Sequence, residues 1–153
     1  DEQIVYSGIG KEFLSLIETT DMQKVYKMPI LYSFYNDGNV RPVVTEEEVL
    51  ESWKNFFDKG TNWKDFAPGI TYSDYRKMSD RQHLSKAKNM PIRFLTLSGK
   101  GFFVEKEGYA LAMRDDLGGV IGNKAFAAQM KDILEYRTVE YYRRSYLVER
   151  EIT

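Results

Sequence analysis

The one histidine, His83, and the adjacent pair Asp115-Asp116 are the residues of this chain best suited by type to do chemistry. A single histidine excludes two-histidine metal sites, and the absence of cysteine excludes thiolate metal sites and disulfides. No nucleophile elbow accompanies His83, so a serine triad has no anchor. His83 lies in "DRQHLSKAK" and reads as a surface helix residue, near phosphate if that helix meets a polyanion. Asp115-Asp116, just before "LGG", reads as a turn, with a metal pair as the alternative.

Phosphate and nuclease motifs are also missing. "LSGKGF" has Gly-Lys without the first glycine or the hydroxyl of a P-loop, and "GGVIGNK" lacks the Gly-Lys step. Metal-dependent nucleases of the restriction type place an acid two residues before a lysine, a spacing that occurs nowhere here, and "VEKEG" sets Glu105 directly beside Lys106. "HLSK" has one residue too many for a His-x-Lys nuclease. No catalytic residue and no metal site is therefore assigned, and an unrecognised enzyme is the least favoured reading.

Binding is better served than catalysis. Net charge is only −1, yet Arg76, Lys77, Arg81, Lys86, Lys88, Arg93 and Lys100 face a single acid, Asp80, across residues 76–100. Such a local field binds a polyanion even when the whole chain is near neutral, although a solvated helix face reads the same way. Those residues, with Lys106, are the candidate nucleic-acid contacts. Trp53 falls on an apolar stripe and is expected in the core, whereas Trp63 is the better exposed candidate for stacking on bases. Tyr141, Tyr142, Arg143, Arg144 and Tyr146 interleave rings and cations as single-strand binders do, or else anchor a terminal helix.

The elements that position these groups follow from periodicity and capping. "GKEFLSLIE" predicts a short helix, and Met28, Ile30, Leu31, Phe34 and Tyr35 predict another, with Pro29 in its first turn and Asn36-Asp37-Gly38 as its stop. "NVRPVV" suggests a brief edge strand, since Pro42 cannot donate in a central one. Thr45 to Glu48 and Ser79 to Gln82 are capping boxes. The first opens an amphipathic helix through Val49, Leu50, Trp53, Phe56 and Phe57, and the second a surface helix with its basic face outward. A Pro/Gly-containing connection joins them. The second Met-Pro-Ile, at residues 90–92, predicts a new helix with Pro91 in its first turn, Phe94, Leu95 and Leu97 buried, and Gly99 as its stop. "GFFVEKEGYALAM" predicts a β-hairpin. A long helix then begins near Asn123, with Phe126, Met130, Ile133, Leu134, Val139 and Tyr142 on one stripe.

At 153 residues, with eleven Tyr and nine Phe, the chain is expected to bury a real core. The division expected is a helical appendage at 1–22 and a domain at 23–153. No apolar run reaches membrane-span length and no signal peptide is evident, so a cytoplasmic protein without a membrane partner is expected. The start at Asp1 without Met suggests a piece of a longer polypeptide.

The order helix, short extended piece, capped helix, basic helix, apolar helix, hairpin and terminal helix matches a winged-helix domain with an enlarged connection. The expected class is α+β, mainly helical, with one β-hairpin and a long C-terminal helix. "IETTDMQKVYKMPILYSFYNDGNV", "FFVEKEGYALAM" and "MKDILEYRTVEYYRRSY" together resemble the region that follows the motor in bacterial superfamily 2 DEAD/DEAH-type helicases of the restriction and defence kind, close to the type III restriction subunit. Thr19, Thr20, Met22, Lys24, Tyr26, Lys27 and Met28 carry most of that likeness. The resemblance implies a non-catalytic accessory domain that helps a motor hold DNA, with DNA and the rest of the helicase chain as partners. ATP and Mg²⁺ would belong to the motor, and no cofactor to this segment. The alternative is a docking module that meets its motor or another subunit through exposed aromatics such as Trp63, Tyr72, Tyr75 and Tyr142.

Overall fold

The computed structural model describes residues 8–22 and 24–152, with side chains as far as Ser145. Helix α1 (Gly8–Thr19) leads to α2 (Lys27–Phe34), where Pro29 sits in the first turn and so removes an N–H that had no partner. The chain then becomes extended at once. Strands β1 (Tyr35–Asn36) and β2 (Asn39–Val40) form a two-residue hairpin around Asp37 and Gly38, whose φ values of 48° and 85° are those a primed turn needs. Asn36-Asp37-Gly38 therefore turns a hairpin rather than stopping a helix, because α2 has already ended at Phe34.

Strand β3 (Val43–Val44) precedes α3 (Glu46–Asp58), which starts in the expected capping box: Glu48 N–H donates to Thr45 Oγ1 at 3.1 Å, and Thr45 N–H donates to Glu48 Oε1 at 2.9 Å. The connection holds a 3₁₀ turn (Asn62–Asp65) and the short α4 (Tyr72–Arg76). Helix α5 (Asp80–Ala87), a π-helical turn (Lys88–Ile92) and α6 (Arg93–Ser98) follow without a break. Strands β4 (Phe103–Val104) and β5 (Leu111–Met113) form the expected hairpin, and α7 (Lys124–Ile152) closes the chain. The three-stranded antiparallel sheet has the order β3-β5-β4, with Val44 opposite Leu111 and Phe103 opposite Met113. β3 lies at its edge, as Pro42 requires. The α+β, mainly helical class holds, with the long C-terminal helix, but two β-hairpins form where one was expected, because the primed turn at Asp37-Gly38 makes a second one from β1 and β2.

Residues 8–19 are not peripheral. The Phe13 ring meets Phe102, Phe103 and Phe126 at 5.6, 5.7 and 5.7 Å, and Phe13, Leu14, Leu16 and Ile17 are all buried. Arg137 of α7 donates to the Ile17 and Thr20 carbonyls at 3.1 and 2.6 Å, placing a cation at the negative end of α1. The helix read as an appendage thus packs into the core of the 23–153 unit. On α7 the buried stripe runs through Phe126, Met130, Leu134 and Tyr141, and Val139, expected on it, is exposed. No helix among the described residues is long and apolar enough to cross a membrane.

Candidate nucleic-acid interface

The helical run 80–98 carries four of the candidate cations, Arg81, Lys86, Lys88 and Arg93, and its seating depends on one aromatic pocket. Tyr26, Trp53, Phe57, Phe66 and Tyr75 pack ring on ring, with Trp53 to Phe57 at 4.8 Å and Phe66 to Tyr75 at 5.6 Å. Trp53 is in the core, as its helical stripe predicts. His83 enters this pocket at 3% exposure, its ring 5.0 Å from Phe66 and 5.6 Å from Tyr75. Trp53 Nε1–H donates to His83 Nδ1 at 3.1 Å, so the imidazole is neutral with its proton on Nε2. Burial, aided by Lys54, holds its pKa below the ordinary histidine value, against the opposing pull of Asp58 and Asp80. The surface placement expected for His83 is therefore corrected: the helix turns its otherwise polar sequence so that this one ring packs inward.

Lys86, three residues on, also turns inward. Its ammonium donates to the Phe66 carbonyl, which also accepts from Tyr26 Oη at 2.9 Å, and lies 4.6 Å from the Phe66 ring centre and 5.0 Å from that of Tyr26. Burial lowers its pKa. Lys86 is thus withdrawn from the candidate contacts, because a half-buried ammonium already held by a carbonyl and two rings does not reach an external phosphate. Lys88 remains exposed but pairs with Glu46. Asp80, the one acid of the run, pairs with Lys54 at 2.7 Å, and that contact lowers its pKa. Arg76, Lys77, Arg81, Arg93, Lys100 and Lys106 are exposed and form no ion pair among the described residues.

The second Met-Pro-Ile does not start a helix. Pro91 lacks an N–H and its ring would strike the carbonyl four residues back, and the chain absorbs this as a π-helical turn inside a continuous run. The extra residue in that turn rotates everything after it. After His83 and Ala87, an unbroken α-helix would return its buried face near 90 and 94; instead Pro91, Ile92 and Leu95 are buried. Phe94 and Leu97, expected in the core, are 49% and 73% exposed, and Met90 is 36% exposed.

The remaining sequence candidates divide. Asp116 lies in a 3₁₀ turn (Asp115–Gly119) and pairs with Arg114 at 2.7 Å, in keeping with the turn reading. Trp63 is half-buried against Tyr72, ring centres 5.2 Å apart. Tyr75, expected to be exposed, is 2% exposed and donates to Asp58 Oδ1 at 2.6 Å. Tyr141 is buried and its pKa is pushed up to about 12 by burial and by nearby Asp65, so it belongs with the anchoring reading of the terminal helix. Tyr142 is half-buried, and Tyr146 lies beyond the side chains described. No group of three or more metal-binding side chains occurs among the described residues.

Comparison with protein-family models, with curated proteins and with solved structures gives no match for this chain.

Proposed function

We propose that this chain is a nucleic-acid-holding domain, with the helical run 80–98 as its recognition helix, working as an accessory of a DNA-translocating motor. One observation carries the reading. The solvent side of the first half of that run consists of Arg81, Gln82, Ser85, Lys88 and Asn89, with Arg76 and Lys77 just before its capped start. Arginine, glutamine, serine, lysine and asparagine are the side chains that read base edges and grip phosphate, and a winged-helix domain presents them from this position. The one acid of the run, Asp80, pairs with Lys54, and Lys88 pairs with Glu46 from α3, which leaves Arg76, Lys77 and Arg81 as the cations without an ion pair among the described residues. The link to a motor rests on the helicase resemblance of residues 17–40, 102–113 and 130–146.

The test is fluorescence anisotropy of labelled duplex DNA at several salt concentrations, with Arg76, Lys77 and Arg81 changed together to glutamate. Affinity should fall linearly on a log–log salt plot, and the triple variant should bind at least tenfold more weakly with a shallower slope. Absence of salt-dependent binding by the wild type would refute the proposal. A second reading, docking onto a protein partner, draws on Tyr136 and Val139, 68% and 67% exposed and three residues apart on α7.

A further inference from the structure

The rotation at Pro91 leaves Met90, Phe94 and Leu97 on the outside of the helical run. Set four and three residues apart, they share one face, the spacing by which a helix offers an apolar seam to another helix. The charges beside that seam have both signs. Leu97 and Arg93 also line a groove whose far wall, the tip of the β4–β5 hairpin, carries Glu105, Lys106 and Glu107. Arg93, Glu105, Lys106 and Glu107 are all exposed and form no ion pair among the described residues. A polyanion placed here would meet both acids, and a polycation both basic groups.

An apolar seam flanked by unpaired charges of both signs is complementary to its own copy. We infer that the Met90-Phe94-Leu97 face is the contact of a two-fold homodimer, in which the run 80–98 of one copy lies antiparallel on that of the other. A two-fold axis at Phe94 sets this ring against its own counterpart and Met90 against Leu97, because the seam extends four residues one way and three the other. The same axis lets cations beside one seam face acids beside the other. The spacing also suits the nucleic-acid reading above. Arg81 lies thirteen residues before Phe94, about 20 Å from the axis at a rise of about 1.5 Å per residue, so two copies hold their Arg81 groups roughly 39 Å apart. Half-sites one duplex turn apart are separated by about 34–36 Å, a difference that long arginine side chains span. The spacing belongs to that reading; the apolar contact stands without it.

The experiment is sedimentation velocity of wild type and Phe94→Glu over a concentration series up to about 1 mM, the range in which small interfaces assemble. Wild type should become dimeric as concentration rises, and Phe94→Glu should raise the dissociation constant about tenfold or more. Phe94 is exposed, so that variant should fold. The chain has no cysteine, which allows a second readout. Under mild oxidation Phe94→Cys should give a cross-linked dimer, since facing positions on packed helices come within disulfide reach, and Tyr136→Cys on α7 should not. A wild type that stays monomeric throughout, or cross-linking at residue 136 in place of 94, would overturn the homodimer. Duplex binding by such a monomer would leave the nucleic-acid reading standing. A dimer that binds no duplex would uphold the contact and refute that reading.

Discussion

Trp53 Nε1–H points at His83 Nδ1 across 3.1 Å, tying α3 to the candidate recognition helix through a bond between residues thirty positions apart. An imidazolium cannot accept that bond, and its charge would be buried among Phe66 and Tyr75. Protonating His83 thus loosens the seat of the very helix proposed to meet nucleic acid.

The pH dependence follows with a definite sign. Burial depresses the folded-state pKa of His83 below the unfolded value of 6.5, so between the two the unfolded chain holds more protons. The contribution of neutral His83 to stability is fully present above about pH 6.5 and is lost as pH falls below that value towards the depressed folded-state pKa. Because the chain has one histidine, its imidazole proton resonance is unambiguous. It should titrate below 6.5, and a midpoint at or above that value would contradict the burial argument.

Lys86 should separate charge from structure. Lys86→Met keeps the stem among the rings, and is expected to change unfolding free energy by no more than about 1.5 kcal/mol, as volume-conserving swaps do. Lys86→Glu aims a carboxylate at the Phe66 carbonyl and should cost about 3 kcal/mol or more. Urea unfolding of both variants measures the difference. Charge reversals meant to probe DNA binding must therefore spare Lys86.

The rotation introduced by the π-helical turn has a paired signature. Leu95, 1% exposed, should lose about 2–5 kcal/mol on change to alanine. Phe94→Ser should stay within about 0.5 kcal/mol of wild type, as exposed substitutions do. The reverse order in a thermal or urea melt would mean that the helix runs through Pro91 in unbroken α form.

Removing residues 1–22 tests where the domain begins. Without α1, the rings of Phe102, Phe103 and Phe126 lose the cover of Phe13, and Arg137 loses the carbonyls it caps. A chain begun at residue 23 should bind a hydrophobic dye and lack a cooperative unfolding transition. A sharp transition near that of the full chain would restore the view of this segment as an appendage.

Glycine at position 99 is required by contact rather than by conformation. A Cβ there would lie 2.3 Å from the Leu95 carbonyl oxygen and 3.0 Å from the Phe103 ring. Gly99→Ala should therefore cost about 1–3 kcal/mol, read as a lower urea midpoint at unchanged slope.

Local rules were legible in the chain itself. Both capping boxes formed, because a hydroxyl three residues before Glu or Gln satisfies amides within a single turn, whatever the rest of the chain does. The hairpin after Gly99, the edge strand after Pro42 and the buried stripe of α3 likewise depend on neighbours in sequence, and together they determined the mainly helical α+β class. Tertiary packing decided what each polar side chain does. His83 and Lys86 read as surface residues because their helix has few apolar positions, yet Trp53 and Phe66, from distant segments, supplied the bond and the rings that draw them inward. The phase of the helix after Pro91 depends on whether proline strain is met by a break or by a π-helical turn, and the tripeptide Met-Pro-Ile is compatible with either: it starts a helix at Pro29 and rotates one at Pro91. The sequence alone set where cations are dense; the fold determined which of them remain free, because pairing and burial are decided by segments far apart in the chain.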